Sequence, residues 1–89
     1  MKDGLDVRQG LRVFNKVRSH GERSGQEHQF RGLHASSDFD GYTLHLHDSN
    51  VDLFIYFHNS YRLEYPSRQA LESFLHRLQA LDRLDTELH

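Results

Sequence analysis

The sequence predicts an α+β fold: a three- to four-stranded antiparallel meander, flanked in the chain by two helices packed on one face of the sheet. Three observations carry this. Apolar residues recur at helical spacing over residues 4–20 and again over 67–84. Between them, residues 41–57 alternate apolar and polar with period two. That alternation leaves the sheet one apolar face, the only surface against which two amphipathic helices can bury their stripes.

The first helix spans residues 4–20, with Val7, Leu11 and Phe14 on one face and Val13 and Val17 on its shoulder. Asp3 is the expected N-cap, with Asp6 three residues on as a variant of the capping box. Gly21 follows His20 and is expected to end the helix in the left-handed conformation. "ERSGQ", residues 22–26, has the composition of a loop.

The first strand is expected at 28–35. Phe30 and Leu33 cannot share a face under strict alternation, so a bulge at Gly32 is needed to return Leu33 and Ala35 to the core side. "SSDFDG" turns the chain into a second strand, 41–47, with Tyr42, Leu44 and Leu46 facing the core. A third strand, 51–57, carries Val51, Leu53, Ile55 and Phe57 on its core side. A two-residue loop at Ser49 and Asn50 sets Leu46 opposite Leu53, Leu44 opposite Ile55 and Tyr42 opposite Phe57. A slip of one residue would bury the histidines instead, which fixes the register. Tyr61, Leu63 and Tyr65 form a short edge strand, 61–65, with core-facing side chains. Ser67 caps the last helix, 67–84, whose stripe is Leu71, Phe74, Leu75, Leu78 and Leu81; the tail "DTELH" is expected to fray.

A chain of 89 residues is one domain, 1–89, because two would each fall below the size at which a core forms unaided. There is no cysteine, which excludes disulfides, thiolate metal sites and a cysteine nucleophile. The N-terminal residues lack a signal-peptide core and no apolar run is long enough for a membrane span, so a cytoplasmic location and no membrane partner are expected. With 11 basic and 13 acidic residues the net charge is −2, so nothing draws the chain globally toward nucleic acid. The unusual count is eight histidines.

The run "DFDGYTLHL…FIYFHNSYRLEY" resembles a small bacterial family of short, single-domain, soluble proteins of unknown function, over most of the chain. The resemblance implies a helix–meander–helix build and a cytoplasmic bacterial origin, and it implies no activity. By order of elements the chain is also similar to double-stranded-RNA-binding domains. Their second helix opens on a lysine cluster that grips phosphates, and here that stretch is "PSRQALESF". A frataxin-like reading wants an acidic first helix, against Arg8, Arg12, Lys16 and Arg18. Nucleic-acid binding therefore ranks third among the functions considered.

The face opposite the core is the one candidate surface. In the register above it carries Thr43, His45 and His47 on one strand and Asp52, Phe54 and Tyr56 on the next, with His47 opposite Asp52 and His34 near Thr43 or His45. Two aromatics with a polar rim suit a protein interface, with this chain or another protein as partner and Phe54 and Tyr56 at its centre. The plainer reading is that long side chains of neighbours, such as Arg31 by stacking, or the N-terminal residues cover them within the monomer. The alternative is a divalent-metal site, in which His45 and His47, spaced about 6–7 Å along a strand, share one ion with His34 or Asp52.

"DFDG" resembles part of a calcium loop, but the twelfth position would be His47 where a bidentate Glu is required, so Asp side chains bonding turn N–H groups are the expected explanation. No nucleophile elbow, phosphate-cradling glycine loop or Walker lysine is present in the sequence. The expectation is a non-enzymatic domain with no catalytic residue and no cofactor; any small-molecule ligand is left open.

Overall fold

The computed structural model describes residues 5–38, 41–56, 58 and 60–84. Its elements run α1 (Val7–His20), β1 (Glu22–Ser24), β2 (Glu27–Phe30), β3 (Leu33–Ser37), β4 (Thr43–His47), β5 (Asp52–Tyr56), β6 (Tyr61–Glu64) and α2 (Arg68–Arg83). The strands form one antiparallel sheet in the order β1-β2-β3-β4-β5-β6. Helix, meander and helix stand as expected, but the sheet has six strands where the sequence suggested three or four.

The two extra strands come from hairpins too tight to show in the alternation. Ser24 pairs with Glu27 across Gly25 and Gln26, so the expected loop at 22–26 is a strand and a turn. The expected strand 28–35 is two strands, because Phe30 pairs with Leu33 across Arg31 and Gly32. Arg31 has φ 52° and Gly32 φ 88°, and two successive positive φ values define the turn that matches the twist of a hairpin. No bulge is needed. The hairpin itself brings Phe30 and Leu33 to the core side.

Gly21 also differs from expectation. Its backbone is extended, φ −84° and ψ 167°, and its N–H donates to Val17 O. Glycine is required there by space: a Cβ would lie 2.5 Å from Val17 O and 2.6 Å from Gln29 O. α1 begins at Val7, not residue 4, with Asp6 as N-cap accepting from the Arg8 N–H; Asp3 lies outside the described residues. Ser67 caps α2 as expected, its Oγ accepting from the Ala70 N–H at 3.1 Å.

The β4–β5 register is the expected one, Leu46 opposite Leu53 and Leu44 opposite Ile55. Asp48 closes the turn, its Oδ1 accepting from the N–H groups of Asn50 and Val51, both at 2.8 Å. Asp38 does the same in "SSDFDG", its Oδ1 accepting from Gly41, Tyr42 and Thr43. Phe57, placed opposite Tyr42 from sequence, and the tail from 85 onward lie outside the described residues.

One core lies between the helices and one face of the sheet. It joins Val13, Phe14 and Val17 of α1, Leu71, Phe74, Leu78 and Leu81 of α2, and Leu33, Ala35, Leu46, Leu53 and Ile55 of the sheet. The α1 stripe is centred on Gly10, Val13, Phe14 and Val17, with Val7 and Leu11 only partly buried, a rotation from the expected face. Gly10 lets the helix lie close, since a Cβ there would meet Ile55 Cδ1 at 3.2 Å. Two residues given to the core from sequence stand outside it: Tyr42 is 60% exposed and Tyr65 44%. Both flank the ends of their strands, where alternation no longer fixes a side chain to a face.

Candidate functional site: a histidine ladder on the outer sheet face

Because both helices occupy the core side, strand alternation places the polar residues on the far face. Cross-strand partners share a face. Gln29 pairs with His34, His34 with His47, Ser36 with His45, Thr43 with Tyr56, His45 with Phe54, His47 with Asp52, Phe54 with Arg62 and Asp52 with Glu64. Glu27 falls on this face too, two residues from Gln29 on β2.

The side chains form a continuous stack across four strands. His34 lies on His47 with ring centroids 4.8 Å apart and planes at 10°. His47 lies on His45 at 4.5 Å and 24°, and His45 on Phe54 at 4.5 Å and 4°. The Arg62 guanidinium closes the row 4.9 Å from the Phe54 centroid. Flat groups at this spacing share dispersion and, at the Arg end, cation–π attraction. Arg31, expected to cover Phe54 and Tyr56, stands instead over Phe30 at 5.5 Å.

Two carboxylates hold the imidazoles. His45 Nε2–H donates to Asp52 Oδ1 at 2.8 Å, and His47 Nε2–H donates to Glu27 Oε2 at 2.9 Å. Glu27 Oε1 is 3.3 Å from His34 Nδ1, so this one carboxylate serves two rings. The bond to His47 is the main cause that holds the Glu27 carboxyl below its ordinary value, partly offset by burial. On β6, Arg62 Nε pairs with Glu64 Oε2 at 3.2 Å, which steadies the two carboxylates Asp52 and Glu64 facing each other across the strands.

The residues expected at the site are thus on one face with His47 opposite Asp52 as expected, but their side chains bond other partners. His47 is opposite Asp52 in register, yet Asp52 bonds His45 on the diagonal. His34 sits opposite His47, not near Thr43 or His45. The metal-type set among the described residues is Glu27, His34 and His47, with one donor atom from each lying within 4.8 Å of the others. His45 and Asp52, candidate ligands from sequence, bond each other instead. Glu27 went unseen because its strand was read as starting at residue 28; the hairpin turn at Gly25 and Gln26 was the available signal.

The profile of a family described as a protein of unknown function, DUF3081, matches residues 5–88. No curated protein and no solved structure matches the chain. Among the described residues, no helix is long and apolar enough to cross a membrane.

Proposed function

The chain belongs to the DUF3081 family, whose function is unknown, and we propose that it is a non-enzymatic binding module working through the outer face of its sheet. The observation that carries this is the separation of faces: both helices pack on the core side, and the stack from His34 to Arg62 is covered by no element among those described. The titratable groups there are paired along an open sheet surface, not gathered at the mouth of a cleft as acid–base chemistry requires.

The occupant is a second copy of this chain. The face carries hydrogen-bond donors and carboxylate acceptors side by side, Arg62 with Glu64 and His45 with Asp52. A two-fold axis between such groups brings the donor of one copy to the carboxylate of the other twice over, the reciprocity an isologous contact needs. Half-buried Phe54 and Tyr56 supply the apolar centre, with Thr43, His45, His47 and Asp52 as its rim.

Sedimentation velocity over a concentration series tests this. The wild type should form a dimer that dissociates on dilution. Phe54→Ser should remain monomeric at every concentration with an unchanged circular dichroism spectrum, since Phe54 lies outside the core. A wild type that stays monomeric throughout, or a Phe54→Ser variant that dimerises equally well, would overturn the proposal.

A further inference from the structure

We propose that Glu27, His34 and His47 form a binding site for a divalent transition ion of the zinc type, at the β2–β3–β4 end of the outer face. The site lies beside the apolar centre of the self-association face and shares His47 with its rim, so it is tested on the monomer.

Imidazole nitrogens and a carboxylate oxygen are the donor set that zinc takes outside thiolate sites, and two histidines with one glutamate make a three-ligand site with a fourth position open. Tetrahedral zinc with bonds of about 2.0–2.1 Å holds its donor atoms roughly 3.3 Å apart. Here Glu27 Oε2 is 2.9 Å from His47 Nε2 and Glu27 Oε1 is 3.3 Å from His34 Nδ1. One donor atom from each of the three residues lies within 4.8 Å of the other two, so the set must draw in by up to about 1.5 Å to reach that spacing. The His34 and His47 rings are now nearly parallel, and coordination requires them to splay until their lone pairs converge. All three side chains are partly exposed, at 37% for Glu27, 31% for His34 and 21% for His47, which leaves them room to turn and the ion a route in.

A second feature suits the metal-bound form. When Nε2 of His47 takes the ion, the neutral ring must carry its single proton on Nδ1 instead, a tautomer exchange in which solvent takes the Nε2 proton and returns one to Nδ1. That atom lies 3.4 Å from the carbonyl oxygen of Asp48, a backbone acceptor of the kind that fixes the tautomer and orientation of zinc-bound histidines. Asp48 is itself fixed by the turn it closes and by Arg77 Nη1 on α2, 3.7 Å from its Oδ2. The acceptor is therefore built into the frame of the fold.

The test is a titration of the full chain with Zn²⁺ alone, followed by melting temperature, at a dilution where sedimentation shows monomer. An ion that binds only the folded state raises the melting temperature by mass action. The wild type should melt several degrees higher with zinc in slight excess, and Co²⁺ should give the intense visible band of four-coordinate cobalt. Glu27→Gln and His34→Gln, each checked for a native circular dichroism spectrum, should weaken binding at least about tenfold. His34 is half-exposed, so its variant keeps the test alive if Glu27→Gln fails to fold. His45→Gln and Phe54→Ser should keep the zinc response, because neither residue is a ligand. No melting shift in the wild type, or an equal shift in Glu27→Gln and His34→Gln, would overturn the site.

Discussion

Asp82, in the last turn of α2, gathers more polar contacts than any expectation from sequence gave it. Its carboxylate accepts two hydrogen bonds from Arg12, through Nε and Nη2, both at 2.9 Å, and one from Gln9 Nε2 at 3.3 Å. Lys16 reaches the same turn from a nearly buried position and donates to the carbonyl oxygens of Leu81, which also accepts from the Leu84 N–H, and of Asp82. The Arg12 hydrogen bonds are the main cause that lowers the Asp82 carboxyl to about 2. A carboxyl that binds its proton near 4 when unfolded and near 2 when folded stabilises the fold fully above pH 4. That contribution fades as pH falls toward 2. Exposure of Arg12 to water limits it to about 1 kcal/mol. Asp82→Asn should therefore lose about that much in urea denaturation at pH 7, with the gap to wild type closing between pH 4 and pH 2. An equal loss at pH 2 would show that packing, not charge, carries the effect.

At the scale of elements, strong periodicity was legible and tight turns were not. The β4–β5 hairpin was readable because five residues on each strand alternate cleanly, and only one register keeps Leu44, Leu46, Leu53 and Ile55 on a common face. β1 gave no such signal, for Glu22, Arg23 and Ser24 are all exposed. Its pairing to β2 rests on backbone hydrogen bonds and a two-residue turn, which apolar patterning does not record. Arg31 and Gly32 were taken as part of one strand because the apolar residues on either side fit a bulge as well as a turn. Glu27, the third member of the cluster with His34 and His47, is hidden for a different reason: residues 22–26 have loop composition, so the strand reads as starting at 28. Side-chain pairing was the least legible level, since register alone cannot say that Asp52 bonds His45 on the diagonal.

The helix stripes were legible where they matter most. Phe14 and Phe74 are both fully enclosed in the core, at 2% and 0% exposed. Replacing either by Ala should cost about 3–5 kcal/mol, from lost transfer energy and the cavity left behind. Thr43→Ala, on the outer face, should stay within about 0.5 kcal/mol. Urea denaturation of the three variants checks the assignment of faces. A loss at Thr43 comparable to that at Phe14 would mean the faces are reversed.

Over the whole molecule the division of labour is between the two faces of one sheet. The inner face and the buried stripes of both helices form the core, and the proposed binding surface is the outer face, from Glu27 on β2 to Arg62 on β6. The other candidate surface is the open groove along α2 beside Arg31, lined by Ser73, His76, Ala80 and Leu84 among others. The most direct test of the central claim is a dilution series of ¹⁵N- and ¹³C-labelled chain by nuclear magnetic resonance, reading which resonances move as the monomer appears. His45, Phe54, Tyr56 and Arg62 should shift together while Ser73, His76 and Ala80 hold still. Movement confined to the α2 groove, with the outer-face residues unchanged, would contradict it.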